Sequence, residues 1–280
     1  MSRVAYVNGS YRPLSEAAVH IEDRGYQFGD GVYEVVLVRH GRLHDLDGHL
    51  ARLDRSLKEI FITPPVGERA LRLIMARLVR LNRLVNGIIY LQITRGVARR
   101  DHKFPADAEP SLVLTTKSVH VETHTTGKAA ITVKDERWAR RDVKTIQLLP
   151  NCLAKQAASA KGAYEAIMVM PDGTISEGSS SNLWMVTPSG ELITRQADHD
   201  ILNGITRRAI MKLAEERQMP VIERPFTVAE ALAAKELFVT SATSIAMPII
   251  RLDDQEIGDG SAGEVALHLR SAYLEDDEAV

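Results

Sequence analysis

Residues Asp23–Glu34 read DRGYQFGDGVYE and form a glycine-rich segment. Its last three residues open a run rich in β-branched side chains, Val32–Arg39, which meets His40-Gly41 and then Arg42–Asp45. β-Branched residues favour strands, and a short turn that contains glycine between two such runs is typical of a hairpin. The sequence therefore predicts a β-hairpin directly after the glycine-rich segment.

Outward from this hairpin, strand and helix spacing follow one another without strict alternation. Leu50, Leu53, Leu57 and Ile60 recur every three or four residues, which predicts a helix from Asp47, and Gly67–Leu84 repeats that pattern. Further strands are predicted at Val4–Asn8, Ile88–Thr94, Leu112–Thr116, Ala130–Lys134, Glu165–Met170, Leu183–Val186, Glu236–Thr240 and Ile245–Ile250, and further helices at Cys152–Lys161 and Thr206–Arg217. This order predicts an α+β protein rather than a doubly wound sheet.

Two domains are expected because 280 residues exceed the usual size of one compact domain. Between Lys117 and Lys128 the chain is polar and lacks apolar periodicity, as linkers do. The predicted division is a smaller N-terminal α+β domain at residues 1–120, a linker at 121–128 and a larger C-terminal domain at 129–280.

Composition argues against several classes of partner. The net charge of −2 gives no electrostatic reason to expect nucleic acid or an anionic membrane. The longest apolar stretches are far shorter than a membrane span, and a single cysteine, Cys152, excludes a disulfide framework and a cysteine metal cluster. We therefore expect a cytoplasmic protein without a metal site. GxGxxG, Walker A, GxSxG and HExxH motifs are absent, so the common nucleotide, hydrolase and zinc functions have little support.

Three segments could carry chemistry, and each has a plainer interpretation. Asn203–Arg207 (NGITR) precedes a predicted helix, where free N–H groups suit a phosphate, although Asn203 or Thr206 could simply cap that helix. Ser176–Asn182 (SEGSSSN) sets a carboxylate beside hydroxyl residues, but a solvated loop looks much the same. Arg100-Asp101-His102 could grip a carboxylate or form an ordinary basic loop.

A reactive lysine is harder to single out. Lys144 lies in Asp142-Val143-Lys144-Thr145, among apolar residues. A lysine that is shielded from water has a lowered pKa and becomes a nucleophile, as Schiff-base chemistry requires. A salt-bridged lysine is the usual alternative.

Taken together, these segments resemble one family in the same order along the chain. Asp23–Glu34 strongly resembles the N-terminal signature of D-amino-acid aminotransferases, which are fold-type IV enzymes dependent on pyridoxal 5'-phosphate. The other matching segments are Thr94-Arg95-Gly96, Arg100-Asp101-His102, Leu153–Gln156, Glu177–Asn182, Gly204–Arg207 and Phe238–Ser241. The resemblance runs from about Tyr6 to Ile250, and it implies a two-domain architecture with the cofactor at the domain interface.

The resemblance also implies roles for individual residues. Lys144 matches the lysine that binds the cofactor and moves the substrate proton, and Glu177 matches the carboxylate that pairs with the pyridine nitrogen. A carboxylate there keeps the nitrogen protonated, so the ring can accept electrons. The implied cofactor-binding residues are Arg52, Lys144, Glu177, Leu202, Ile205, Thr206, Ser241 and Ala242.

Substrate binding is implied at a second group of residues. Tyr33, Arg100 and His102 match the trio that binds the substrate α-carboxylate. In the family the arginine and the histidine come from the neighbouring subunit, so a homodimer with shared active sites is implied. The implied substrates are D-amino acids, such as D-alanine, and 2-oxo acids, with a ping-pong mechanism.

Related activities share this fold, so two alternatives remain. A branched-chain L-amino-acid aminotransferase has the lysine and glutamate but not the Arg100/His102 pair, and an aminodeoxychorismate lyase also lacks that pair. A non-catalytic protein is disfavoured because Lys144 and Glu177 are both present. Two positions depart from the family: Ala242 replaces a frequent hydroxyl residue, and Ile245 replaces a common acidic residue.

Overall fold

The computed structural model describes residues 3–120 and 125–275, so part of the predicted linker, residues 121–124, lies outside the described residues. The chain divides into two compact units. Among the described residues, the first unit comprises 3–120 together with Val143–Gln147, and the second comprises 125–142 and 148–275.

The first unit is a six-stranded antiparallel sheet with two longer helices packed against it. Its strands are β1 (Val4–Val7), β2 (Ser10–Pro13), β3 (Gly31–Arg39), β4 (Arg42–Leu43), β5 (Gly87–Thr94) and β6 (Ser111–Ser118), in the order β2-β1-β6-β5-β3-β4. Its helices are α1 (Arg24–Phe28), α2 (Leu46–Glu59) and α3 (Glu68–Asn82), with a 3-10 turn at Leu14–Glu16. The core contains the periodic apolar residues of both longer helices, among them Leu50, Leu53, Leu57, Met75 and Leu78.

The hairpin predicted after the glycine-rich segment is present. Strands β3 and β4 pair antiparallel, with Arg39 opposite Arg42. His40 and Gly41, the two loop residues, have φ values of 50° and 77°. Two left-handed residues match the right-handed twist of the flanking strands, so this short loop closes the hairpin.

The short segment Val143–Gln147 belongs to the first unit, whereas the sequence-based boundaries assigned it to residues 129–280. Thr145 forms a bridge with Val32, and the Tyr33 N–H donates to the Lys144 carbonyl at 3.0 Å. Val143 is buried in the apolar core of this unit. These contacts with β3 are distant in sequence, so local patterns could not indicate them.

The second unit is built on a larger mixed sheet. Its strands are β7 (Lys128–Lys134), β8 (Glu165–Val169), β9 (Ile175–Gly178), β10 (Asn182–Val186), β11 (Leu192–Thr194), β12 (Val221–Glu223), β13 (Glu236–Ser241), β14 (Ile245–Leu252) and β15 (Gln255–Glu256). The order is β12-β11-β10-β13-β14-β7-β8-β9, with β15 beside β14. Its helices are α4 (Leu149–Ala160), α5 (Ile205–Glu216), α6 (Val228–Leu232) and α7 (Glu264–Glu275).

The observed architecture confirms the α+β class, since sheets and helices mix without regular alternation. The loop interpretation of Ser176–Asn182 was wrong for its first part, because Ile175–Gly178 is a fully buried strand. Polar residues are stable there because neighbouring strands and side chains satisfy them. Within the described ranges, no helix is long and apolar enough to cross a membrane.

Candidate active site

Lys144 lies beside an aromatic side chain in the first unit. Its Nζ is 4.2 Å from the centroid of the Tyr33 ring, and both side chains are half-buried. Tyr33 in turn stacks on Tyr90 with ring centroids 5.8 Å apart. Burial and the neighbouring Tyr33 raise the pKa of Tyr90 to about 12, so Tyr90 carries no charge at neutral pH. The Lys144 amine is thus held beside a pair of stacked tyrosines.

Arg52 belongs to a buried ion cluster with Glu34 and His49. Its Nε and Nη2 donate to the two Glu34 oxygens at 2.8 and 2.7 Å, and His49 Nδ1 lies 2.7 Å from Glu34 Oε2. Such a two-point pairing fixes the plane of a guanidinium. Helix α2 supplies Arg52 and His49, and strand β3 supplies Glu34.

The Glu34 cluster predicts an acid-sensitive fold. Burial alone would raise the pKa of Glu34, but Arg52 and His49 lower it from 4.5 to about 2. A carboxyl with a lowered folded pKa stabilises the fold above its ordinary pKa, and this contribution is lost as the pH falls through the folded pKa. We expect the urea concentration at the unfolding midpoint of the wild type to decrease as the pH is lowered from about 5 to about 2. The midpoint of a Glu34→Gln variant should decrease less over the same pH range. An equal loss in both proteins would contradict this assignment.

Arg100 and His102 lie on an exposed loop and face the same aromatic ring. The Arg100 guanidinium carbon is 5.0 Å from the Phe28 centroid, and the His102 and Phe28 centroids are 5.6 Å apart. Arg100 and His102, at positions i and i+2 of the loop, thus converge on one ring. Among the described residues, no hydrogen bond or ring contact joins either of them to Tyr33, the third member of the predicted trio.

Glu177 is a buried carboxylate on β9 in the second unit. It accepts from Arg137 Nη1 at 2.5 Å, from Asn182 Nδ2 at 2.9 Å and from the Leu202 N–H at 3.2 Å. Burial raises the pKa of Glu177, while the charge and hydrogen bond of Arg137 offset part of that rise. The carboxylate is thus held by donors that restrict its orientation.

Arg137 is a residue that the sequence reasoning missed. Its Nε and Nη2 also donate to Asp135 at 3.0 and 2.8 Å, so one guanidinium joins two buried carboxylates. Burial would lower the pKa of Arg137, but Glu177 and Asp135 raise it above its ordinary value. The only signal in the sequence was a charged run, KDERWARRD, at the end of a predicted strand. That run does not distinguish a buried arginine from solvated ones.

The start of helix α5 is linked to the Glu177 carboxylate through Asn182. Asn182 Nδ2 also donates to the Leu202 carbonyl at 2.8 Å, and a Cβ on Gly204 would meet Asn182 Oδ1 at 2.1 Å. Gly204 is the N-cap, with no side-chain cap. The capping interpretation of Asn203 or Thr206 was therefore wrong, because the N-cap position is a glycine that lies between them.

Ser241 and Ala242, two of the implied cofactor-binding residues, lie at a tight turn between β13 and β14. The hydroxyls of Ser241 and Ser244 are 2.6 Å apart, and the Ser244 N–H donates to Ser241 Oγ at 3.2 Å. Ala242 lies in this turn. Ile245, buried and β-branched, has a φ of 56°, a strained conformation for such a residue. Arg270 donates to the carbonyls on both sides of it, those of Ser244 and Ala246, at 2.5 and 3.3 Å.

The residues present fit pyridoxal 5'-phosphate by their chemistry. In the second unit Asn182 joins a buried carboxylate to a helix start without a side-chain cap, and these are partners for a ring nitrogen and a phosphate. The first unit offers an amine, Lys144, and an oriented guanidinium, Arg52. No cluster of three or more potential metal ligands occurs among residues 3–120 and 125–275.

Comparison with known proteins identifies the family. Residues 31–252 match the family described as Amino-transferase class IV. The chain belongs to the class IV aminotransferases.

Curated relatives and solved structures agree with this membership. The chain is 40% identical over 267 residues to a protein named D-alanine aminotransferase from Bacillus licheniformis, covering 95% of this chain and 94% of that protein. It is 39% identical over 274 residues to one of the same name from Staphylococcus aureus, covering 96% and 95%. The fold matches the Escherichia coli branched-chain amino acid aminotransferase with a TM-score of 0.92 at 23% identity, covering 98% and 94% of the two chains.

One further solved structure bears on the cofactor. The branched-chain amino acid aminotransferase of T.th., complexed with N-(5'-phosphopyridoxyl)-L-glutamate, matches with a TM-score of 0.89 at 25% identity, covering 98% of this chain and 94% of that chain. The predictions of fold-type IV architecture and of an aminotransferase dependent on pyridoxal 5'-phosphate are confirmed.

Proposed function

We propose that this class IV aminotransferase transfers the amino group of a D-amino acid, such as D-alanine, to a 2-oxo acid. The observation that carries the D-substrate is the pair Arg100 and His102, two donors that both contact the Phe28 ring. A guanidinium and an imidazole so placed suit a carboxylate. The two curated relatives described above are both named D-alanine aminotransferases, which supports the same choice.

Each chemical role falls to a residue with a suitable environment. When bound, pyridoxal 5'-phosphate supplies the electron sink that lets an amino group leave one carbon and join another. Lys144 is the covalent anchor and the base that takes the substrate α-proton. Glu177, supported by Arg137 and Asn182, keeps the ring nitrogen protonated.

Phosphate binding is assigned to cationic and N–H donors. Arg52 presents a guanidinium whose plane Glu34 fixes, and Ile205 and Thr206 present the start of α5. Ser241 and Ala242 complete this group from the turn before β14, where a backbone N–H serves in place of the missing hydroxyl. Leu202 would pack against the pyridine ring of the cofactor. We expect cofactor retention to be weaker than in relatives with the second hydroxyl.

Substrate binding and assembly are linked in this proposal. Tyr33 binds the α-carboxylate in one subunit, while Arg100 and His102 are supplied by the other subunit of a homodimer. Their exposure, and their contacts with Phe28 rather than Tyr33, support this arrangement. A cytoplasmic location is proposed on the composition alone.

The half-reaction tests the function without knowledge of the acceptor. Protein loaded with pyridoxal 5'-phosphate is mixed with D-alanine or, separately, with L-leucine, and the visible band of the cofactor is followed. D-Alanine is expected to remove the band, with a ratio of limiting rate to apparent Kd at least about tenfold above that for L-leucine. A response to L-leucine alone would favour the branched-chain alternative. Response to neither would make the lyase the activity to test.

A further inference from the structure

Arg24 joins the glycine-rich segment to the loop that carries Arg100 and His102. Its guanidinium is buried, and its Nε donates to Asp30 Oδ2 at 2.8 Å. Its Nη1 donates to the carbonyl oxygen of Asp101 at 2.6 Å, across 77 positions of sequence. That carbonyl lies between the two residues assigned to the substrate carboxylate, so one side chain holds the backbone from which both project.

Phe28 adds a second contact to the same loop. Its ring lies 4.7 Å from the Arg24 guanidinium carbon and 5.0 Å from that of Arg100. The His102 ring is tilted at 52° to it, with centroids 5.6 Å apart. Cations over an aromatic face are attracted by its quadrupole, and the attraction orients them. Phe28 therefore orients the side chains whose backbone Arg24 holds.

Asp30 makes the position of Arg24 independent of the exposed loop. Arg95 donates to both Asp30 oxygens at 2.8 and 2.9 Å and to the carbonyls of Ile60 and Phe61 at 2.7 and 3.1 Å. Burial would raise the pKa of Asp30, but Arg95 and Arg24 lower it, so it remains an anion. Asp30 therefore keeps Arg95 as its bidentate partner when Arg24 is replaced.

We propose that Arg24 is a positioning residue for the substrate carboxylate, acting through the Asp101 carbonyl and the Phe28 ring to hold Arg100 and His102. The proposal rests on the proposed function, because it assigns those two residues to substrate binding. A planar guanidinium reaches Asp30 and Asp101 at once with fixed geometry. A lysine ammonium would keep the charge beside Asp30 without that fork.

The test compares loaded Arg24→Lys and Phe28→Leu variants with the wild type in the D-alanine half-reaction. The apparent Kd for D-alanine is expected to rise about tenfold in Arg24→Lys, because the variant loses one charge-assisted hydrogen bond to the loop. The limiting rate at saturation should stay within about twofold, because Lys144 and Glu177 are untouched. An unchanged Kd in both variants would overturn the proposal, as would a fall in the limiting rate alone.

A second measurement separates this proposal from the proposed function. Amide hydrogen exchange of residues 100–103 needs no substrate, and it should be faster in Arg24→Lys than in the wild type. If exchange is faster in Arg24→Lys but the enzyme does not react with D-alanine, the proposed D-substrate is refuted. The contact between Arg24 and the loop would still stand, and only its role in binding the substrate carboxylate would be overturned. Unchanged exchange would overturn the positioning role even if the Kd rose.

Arg77→Lys is the matched control. Arg77 lies on α3 in the same unit, with its guanidinium carbon 4.6 Å from the Tyr11 centroid, an arginine–aromatic contact like that of Arg24. It is exposed, and its aromatic partner lies on β2 rather than beside the loop of Arg100. The Arg77→Lys variant should equal the wild type in its apparent Kd for D-alanine and in amide hydrogen exchange at residues 100–103.

Discussion

Replacement of Lys144 by alanine should lower kcat for transamination by about 10⁴-fold, because the chain would lose both its covalent anchor and its base. The visible band of the bound cofactor should disappear at the same time, since no amine would remain against the Tyr33 ring to form the covalent link. Absorbance of the loaded variant and steady-state kinetics with D-alanine measure the two effects.

Lys155→Ala is the control for this prediction. Lys155 also places its Nζ over a tyrosine, 4.7 Å from the Tyr164 centroid, but it lies on α4 in the second unit. Its variant should retain the visible band. A band that survives in Lys144→Ala and disappears in Lys155→Ala would show that the anchor has been assigned to the wrong lysine.

Replacement of Arg137 by methionine should destabilise the second unit by about 3–5 kcal/mol, because it removes one partner of a buried ion pair. Asp135 would retain Arg141, whose Nε lies 3.0 Å from it, but Glu177 would lose its cation. Burial would then raise the pKa of Glu177 unopposed by that charge. We therefore also expect kcat to fall, since a protonated Glu177 cannot hold a proton on the ring nitrogen.

Urea unfolding and kcat across pH measure these two effects. Arg208→Met is the control, because Arg208 is exposed on α5 in the same unit, and surface substitutions usually change stability by less than about 0.5 kcal/mol. Equal midpoints for Arg137→Met and the wild type would refute the structural part. A lower stability with an unchanged kcat and pH profile would refute the support of Glu177.

The turn that contains Ile245 is stabilised by surroundings that only the fold reveals. In the sequence Ile245 is an apolar residue at a position where the resemblance implies an acidic one. In the structure its side chain is buried, its backbone is left-handed, and Arg270 binds the carbonyls on either side. An arginine of α7 thus stabilises a strained turn by contacts that no local pattern contains.

Secondary-structure elements that depend only on residues close together in the chain could be predicted from the amino-acid sequence. The hairpin at His40-Gly41 follows from turn geometry, and α2 and α3 follow from the spacing of their apolar residues. The family could be predicted as well, because motifs such as Asp23–Glu34 are long enough to be specific, and the comparisons confirm that membership.

Which distant groups meet became visible only in the folded chain. Glu177 and Arg137 are 40 positions apart and Arg24 and Asp101 are 77 apart, yet each pair shares a hydrogen bond. The fold also places Val143–Gln147 against β3 and makes Ile175–Gly178 a buried strand. Burial and long-range pairing arise from the packing of whole elements, so a charged residue in the sequence carries no local sign of whether it will face water or a partner.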